Sequence, residues 1–282
     1  MEHKIDRISE LPEPVLEHIL SFIPLKKKNL QLSTFPIPEF DHIFSEFNPF
    51  RVEKLGNISN NEKKQTIRRK KDDFRYFVER VLQSRYRRRL SINKFKLMMI
   101  LDHESDCALV DSWIGYAIER NVKEIYLEIV SLFESVLTAK SITELNLVAI
   151  KLDSFYSEVN LSSLRKLSLY AVRVEDHQFI QTLLTGCPVV EEISLEVCLG
   201  LKSIRVSGLP KLMALKLTDK HDLERVEVQA STTLQSLHIH NHKPCMQMNL
   251  APCENLKKLV LCAPTTTDKW LHEVLLKHPL IE

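Results

Sequence analysis

Glycine is scarce in this sequence: five residues in 282. So few leave no room for a phosphate-cradling loop or a flexible low-complexity linker. Close cysteine pairs are missing as well. The six cysteines (Cys107, Cys187, Cys198, Cys245, Cys253 and Cys262) form no C-x-x-C unit, and structural zinc sites usually need such pairs. No run of 18 apolar residues occurs, and the N-terminus, Met1-Glu2-His3-Lys4-Ile5-Asp6-Arg7, is polar and unlike a signal peptide. A strong charge of one sign is absent too, since the net charge is only +2. The expectation is a reduced, soluble, intracellular protein of the nucleus or cytoplasm, with its cysteines used as small buried hydrophobes and no membrane contact. What is abundant is apolar material, 44% of the chain, enough for one elongated domain or two small ones.

That material is periodic. From residue 122 onward one pattern recurs: apolar, two variable, apolar, one variable, apolar. It reads Val122-Ile125-Leu127, Ile142-Leu145-Leu147, Leu164-Leu167-Leu169, Val190-Ile193-Leu195, Leu212-Leu215-Leu217, Leu234-Leu237-Ile239 and Leu256-Leu259-Leu261. An earlier copy, Ile92-Phe95-Leu97, opens the series. The last four first members lie 22 residues apart, as do 142 and 164. This period and signature are those of a leucine-rich repeat. A strand alternates its side chains, so the fourth and sixth positions point inward and the residues between them outward. One unit cannot bury its apolar side alone, and stacked neighbours make a continuous core.

A second series, Leu201-Ile204-Val206, Leu223-Val226-Val228 and Cys245-Met248-Leu250, falls 11 residues after members of the first. Eleven residues are too few for a whole coil, so the two series must lie on opposite sides of each turn. Pro188 and Pro210 keep the same beat, each two residues before a main strand. Two helices are expected in the earlier repeats. One runs over 176–186 with Asp176 as N-cap and Gly186 as stop, the other over 108–120 with Leu109, Val110, Trp113, Ile114, Ala117 and Ile118 at helical spacing. The fold class is therefore α/β: a solenoid with a curved parallel sheet on the concave side and mixed helix and strand on the convex side.

The outward strand positions then form one surface. It holds Glu124, Tyr126, Glu128, Glu144, Asn146, Val148, Lys166, Ser168, Tyr170, Glu192, Ser194, Glu196, Lys216, Thr218, Ser236, His238, His240, Lys258 and Val260. A long, mixed, Tyr-bearing face suits a protein partner, with Tyr126, Glu128, Tyr170, Glu192, Glu196, Lys216, His238 and His240 as candidate contacts. The bland alternative is a merely solvated face. His238 and His240 share metal-like spacing on one strand, but no neighbouring carboxylate or cysteine in the sequence completes a ligand set. No nucleophile–base pair, metal set or phosphate loop appears, so neither an enzyme nor a cofactor is expected.

At the N-terminus Leu16, Ile19, Leu20 and Ile23 fall on one face of a short helix, with Pro12 and Pro14 at its start and Pro24 ending it. The string Leu11-Pro12, Leu16, Ile19-Leu20 and Phe22-Ile23-Pro24 resembles the opening of the F-box, and Asp6-Arg7-Ile8-Ser9 is similar to the version in plant F-box proteins with leucine-rich repeats. Val110-Asp111-Ser112-Trp113-Ile114, Arg120-Asn121-Val122-Lys123-Glu124, Gly186-Cys187-Pro188 and Ala251-Pro252-Cys253-Glu254-Asn255-Leu256-Lys257-Lys258-Leu259 look like that family too. The resemblance implies a substrate receptor of a cullin-type (SCF) ubiquitin ligase. Leu11, Pro12, Leu16, Ile19, Leu20 and Ile23 would dock on the SKP-type adaptor, and the repeats would hold an unknown target protein. The sequence departs from the family after Pro24, where Leu25-Lys26-Lys27-Lys28 and later Phe35-Pro36-Ile37-Pro38 replace the second half of the F-box. At the other end Pro279-Leu280-Ile281-Glu282 matches Pro188-Val189-Val190-Glu191, the start of another repeat, and the family's further C-terminal region is missing. The alternative function is accordingly a repeat protein that binds its partner but has lost ligase docking.

The expected organisation is a partial F-box-like segment over 1–34, a linker and basic helical cap over 35–90, and the solenoid over 91–282. Between Lys63 and Arg89 stand twelve Lys/Arg against three acids, with Phe74, Phe77, Val78, Val81 and Leu82 at helical spacing. A solvated helix face is the favoured reading of that run. Nuclear import is its functional alternative, and no RNA- or DNA-reading motif accompanies it. A basic nucleic-acid-associated protein, recognisable by strongly salt-dependent binding, is the remaining class.

Overall fold

A computed structural model describes residues 42–46, 65, 68–69, 71–76, 78–80, 82–83, 91–99, 104–129, 131–152, 158–219, 223–228, 233–241, 247–249, 253–262, 268–278 and 280–281. The F-box-like residues Leu11, Pro12, Leu16, Ile19, Leu20 and Ile23, and Cys245 and Leu250 of the second series, lie outside them.

The repeat builds the sheet it predicts. Nine strands pair in parallel: β1 (His42–Glu46), β2 (Lys94–Met98), β3 (Glu124–Glu128), β4 (Glu144–Val148), β6 (Lys166–Tyr170), β8 (Glu192–Glu196), β10 (Ala214–Asp219), β12 (Ser236–Asn241) and β14 (Lys258–Cys262). Register is uniform, so Ile125, Leu145, Leu167, Ile193, Leu215, Leu237 and Leu259 stand in one row, with Leu127, Leu147, Leu169, Leu195, Leu217, Ile239 and Leu261 in the next. Both rows are buried from β2 to β12, at most 3% exposed. Leu259 and Leu261 are only partly buried, because β14 ends the sheet and no further described strand covers it. Just before each strand a carbonyl accepts from two successive amides of the next repeat, as Lys123 does from Thr143 and Glu144, Glu191 from Met213 and Ala214, and Gln235 from Lys257 and Lys258. Backbone polarity at the strand entrances is thereby satisfied by the stacking itself.

The half-period series lies across the core. The strands β9 (Ser203–Val206), β11 (Arg225–Val228) and β13 (Gln247–Asn249) form a second parallel sheet, with Ile204, Val226 and Met248 in register. Ile204 and Val226 are buried. Earlier repeats make a smaller version, β5 (Lys151–Leu152) with β7 (Arg173–Val174), extended by single bridges to Ser131 and Leu199. Helices fill the rest of the outer side: α1 (Glu104–Glu119), α2 (Glu134–Leu137) and α3 (His177–Thr185), with α4 (Asp268–Lys277) after the last strand. Among the described residues no helix is long and apolar enough to cross a membrane.

Local chemistry explains the helix ends. The Asp176 carboxylate accepts from the Gln178 amide at 2.8 Å and caps α3. Gly186 does stop α3, but in right-handed backbone (φ −72°), not by a left-handed turn. Its requirement is space, since a Cβ there would come within 2.5 Å of Val159 Cγ1 and 2.7 Å of the Val159 carbonyl oxygen. Helix α1 closes with Asn121 in left-handed conformation (φ 59°), its amide donating to the Ile118 carbonyl and the Val122 amide to that of Ala117. That pair of bonds is a Schellman cap, and it turns the chain into β3.

The sheet is left without glycine. Ala149, Ala171 and Val197 follow β4, β6 and β8 directly, all with φ between 52° and 56°. Their amides still reach the next strand, donating to Tyr170, Glu196 and Thr218 carbonyls. On the outer side one position does need glycine. Gly200 has φ 85°, and a Cβ there would sit 2.5 Å from the Val174 carbonyl oxygen. Gly200→Ala should therefore cost about 2–3 kcal/mol, from positive φ together with a backbone clash, read as a lower urea midpoint. An unchanged midpoint would show that the outer return is not packed this closely.

The region before β2 departs from expectation in two ways. Strand β1, at 42–46, adds to the sheet ahead of the first recognised copy, and Ser45 occupies the register position of Leu97. A polar residue at that register position hid this repeat. The second departure concerns the basic run. Residues 71–76 and 78–80 are helical, with Val78 and Leu82 buried in the core and Phe74 edge-on to Trp113 at 6.4 Å. Lys71 is not on a solvated face: it is 6% exposed and its ammonium lies 2.5 Å from the Asp106 carboxylate. Arg75 pairs with the other Asp106 oxygen. Helix α1 starts at Glu104, about a turn earlier than its apolar spacing suggests, and so carries Asp106 into this buried cluster. Arg68 and Arg69 remain exposed, as the solvated reading holds.

Candidate functional site

Outward positions of the large sheet form three parallel rows of side chains, because strand register repeats from β2 to β14. One row contains Lys94, Glu124, Glu144, Lys166, Glu192, Ala214, Ser236 and Lys258. The middle row runs Lys96, Tyr126, Asn146, Ser168, Ser194, Lys216, His238 and Val260, and the third Met98, Glu128, Val148, Tyr170, Glu196, Thr218, His240 and Cys262. All eight candidate contacts stand on this one surface: Tyr126 and Glu128 on β3, Tyr170 on β6, Glu192 and Glu196 on β8, Lys216 on β10, and His238 and His240 on β12. All are partly or well exposed, alternating with buried aliphatic residues.

Two clusters organise the face. At the first, the Lys96 ammonium lies 4.4 Å from the centre of the Tyr126 ring, and the Tyr126 hydroxyl donates to Glu128 Oε2 at 3.3 Å. The Tyr126 hydroxyl is pushed above its usual pKa by burial, then by the Glu128 charge and the hydrogen bond to it, so it stays protonated and a donor. Beside it Lys94 pairs with Glu124 at 2.5 Å. At the second cluster Glu196 accepts from the Ser194 hydroxyl and the Lys216 ammonium, both at 2.9 Å. Burial pushes the Glu196 carboxyl up, but the Lys216 and Ser194 bonds and the charges of Lys216 and His238 outweigh it, leaving its pKa lowered. Glu192 pairs with Lys166 at 3.5 Å. Lys94 and Lys96 were not among the residues singled out from sequence; their copy was recognised, but its outward positions carry no aromatic residue.

Pairing across strands also brings Cys262 beside His240 and sets Glu196 close enough to His238 to feel its charge, neighbours that sequence spacing conceals. Among the described residues no three of His, Cys, Asp and Glu are placed to hold a metal ion. Burial pushes Cys187 up to about 12 and Cys253 to about 11, so both are protonated at neutral pH and behave as core hydrophobes. What the arrangement offers is an array of charged and aromatic groups held by a rigid sheet, suited to recognition.

Comparison with known proteins agrees with this geometry. The family model described as At1g61320/AtMIF1, LRR domain, matches residues 81–282. The F-box/LRR-repeat protein At3g03360 of Arabidopsis thaliana is 27% identical over 256 residues, 87% of this chain and 50% of its own length. F-box/LRR-repeat protein At3g59200 of the same plant is 31% identical over 199 residues, 67% of this chain and 36% of its own. F-box/FBD/LRR-repeat protein At4g00160, also from Arabidopsis thaliana, is 29% identical over 230 residues, 77% and 47%. The chain thus spans half or less of the length of these three relatives. No solved structure matches it. The chain belongs to the leucine-rich-repeat domain family of At1g61320/AtMIF1, and its relatives are plant F-box/LRR-repeat proteins.

Proposed function

We propose that this protein is a substrate-recognition adaptor of a cullin-type (SCF) ubiquitin ligase, holding target proteins on the outward face of its large sheet and performing no chemistry itself. The observation that carries the reading is the uninterrupted face from Lys94 to Lys258, joined to relatives whose names pair an F-box with such repeats. Extended strand faces of solenoids are the surfaces such proteins use for partners. Tyr126, Glu128, Tyr170, Glu192, Glu196, Lys216, His238 and His240 are the proposed contacts. The segment 1–34 would dock on a SKP-type adaptor through Leu11, Pro12, Leu16, Ile19, Leu20 and Ile23, the region 35–90 would join it to the repeats, and 91–282 would bind the target. The place of work would be the nucleus, the cytoplasm or both.

A second reading, an interaction module without ligase docking, is favoured by the departure from the F-box pattern after Pro24. A docking surface drawn from several helices fails when a few anchors are missing. This chain is expected to bind a SKP-type adaptor at least about tenfold more weakly than a version with a complete F-box ahead of Glu39, a loss of about 1.4 kcal/mol or more. Calorimetric titration of the two versions decides between the readings. Tight binding by the chain itself, abolished by Leu20→Asp, would show that the first helix suffices. Failure of both versions to bind would contradict the ligase reading.

A further inference from the structure

We infer that the large sheet takes a cationic segment of its partner protein, and that Tyr170 on the central strand receives it. The inference rests on the proposed role of this face as the partner surface and names the chemistry the face selects. Strand β6 is the fifth of nine, and Tyr170 is its exposed aromatic residue, 50% accessible. Along its row the neighbours are Val148 and then Glu128 on one side and Glu196 on the other. Strands lie about 4.8 Å apart, so one carboxylate stands a single strand away and the other two strands away. Outward positions of the five central strands β3, β4, β6, β8 and β10 carry five carboxylates (Glu124, Glu128, Glu144, Glu192, Glu196) against two ammonium groups (Lys166, Lys216).

Toward the ends the sign reverses. Strands β2, β12 and β14 present Lys94, Lys96 and Lys258 with His238 and His240, and no acid. An acidic window around an exposed tyrosine, between basic flanks, is a charge pattern that welcomes cations at its centre and repels them at its borders. The face already shows how it holds an ammonium group: Lys96 lies over Tyr126, whose hydroxyl is tied to Glu128. Among the described residues no cation lies over Tyr170, and an exposed ring flanked by carboxylates is where a partner's arginine or lysine gains both cation–π and ionic attraction.

The test uses the full chain and a fluorescent arginine peptide spaced by glycine and serine, with its glutamate counterpart as control, in anisotropy titrations at low and physiological salt. The arginine peptide should bind, more weakly as salt rises, and the glutamate peptide should not. Tyr170→Ala should weaken binding about tenfold and Tyr170→Phe no more than about twofold, since the ring and not the hydroxyl meets the cation. Glu128→Gln with Glu196→Gln should weaken it as well, and Glu227→Gln on the small sheet should leave it unchanged. Because Tyr170 is exposed, thermal melts of its two variants should match the parent. Binding of the glutamate peptide, lost on Lys216→Ala, would overturn the cationic assignment while keeping the face as a partner surface. Arginine-peptide binding indifferent to Tyr170→Ala, or no binding at all, overturns it outright.

Discussion

Leu215→Asp is expected to lower the stability of the repeats by about 4 kcal/mol or more, a large share of the about 5–15 kcal/mol by which a domain is stable. Leu215 is 1% exposed on β10, between Ile193 and Leu237 in its row. An aspartate there must be buried without a partner or neutralised by protonation, and the loss of packing adds to either cost. Repeats contact only their neighbours, so the damage should spread from β10 to β8 and β12 before reaching β3. The control is one strand over: Ser236→Asp, at an outward position beside Lys258, should change the unfolding free energy read in urea by less than about 1 kcal/mol. Equal effects at the two positions would mean that the inward and outward rows are wrongly assigned.

Asp106→Ala should be nearly as severe, but local. Asp106 is fully buried and faces Lys71 and Arg75, so its removal takes a carboxylate away from a buried ammonium, typically about 3–5 kcal/mol. That is comparable with what Val78, Leu82 and the Phe74–Trp113 contact contribute, so the helical residues 71–76 and 78–80 should detach from the end of the solenoid far more readily. Limited trypsin digestion would read this directly, since undocking uncovers Lys71 and the half-buried Arg75 and Arg80. Pairing Asp106→Leu with Lys71→Met should restore protection in part, because two apolar groups replace an ion pair at little cost. Unchanged protection in Asp106→Ala would show that the apolar contacts alone dock the helix.

The sequence was most legible where one position decides its own environment. Leu145, Leu167 and Ile193 announce their burial by period alone, and Ile204 and Val226 do so for the outer sheet by lying half a period away. Where a residue's fate depends on a distant partner, the period is silent. Asp106 lies outside the helix that the spacing predicts over 108–120, and only the fold brings it to Lys71, 35 residues earlier. Strand β1 escapes because Ser45 stands where Leu97 stands in the next repeat, and pairing with β2 overrides its composition. β5 and β7 are two residues each, too short for any alternation to show. The same division holds for the face. Tyr126, Tyr170 and Glu196 follow from strand alternation, whereas the Lys96–Tyr126 and Lys216–Glu196 contacts join residues 30 and 20 apart and need the register to be seen.

The central claim is that partners are held on the outward side of the large sheet. Its most direct measurement is the affinity of a target protein, captured from plant extract and purified, for two triple variants of this chain. Alanine at Tyr126, Tyr170 and Lys216 should weaken binding by at least about a hundredfold, as aromatic anchors at the centre of an interface do. Alanine at Arg205, Arg225 and Glu227, a charge cluster on the small sheet whose two arginines are exposed, should change it by no more than about twofold. The reverse pattern, with binding lost on the small sheet and kept on the large one, would contradict the account.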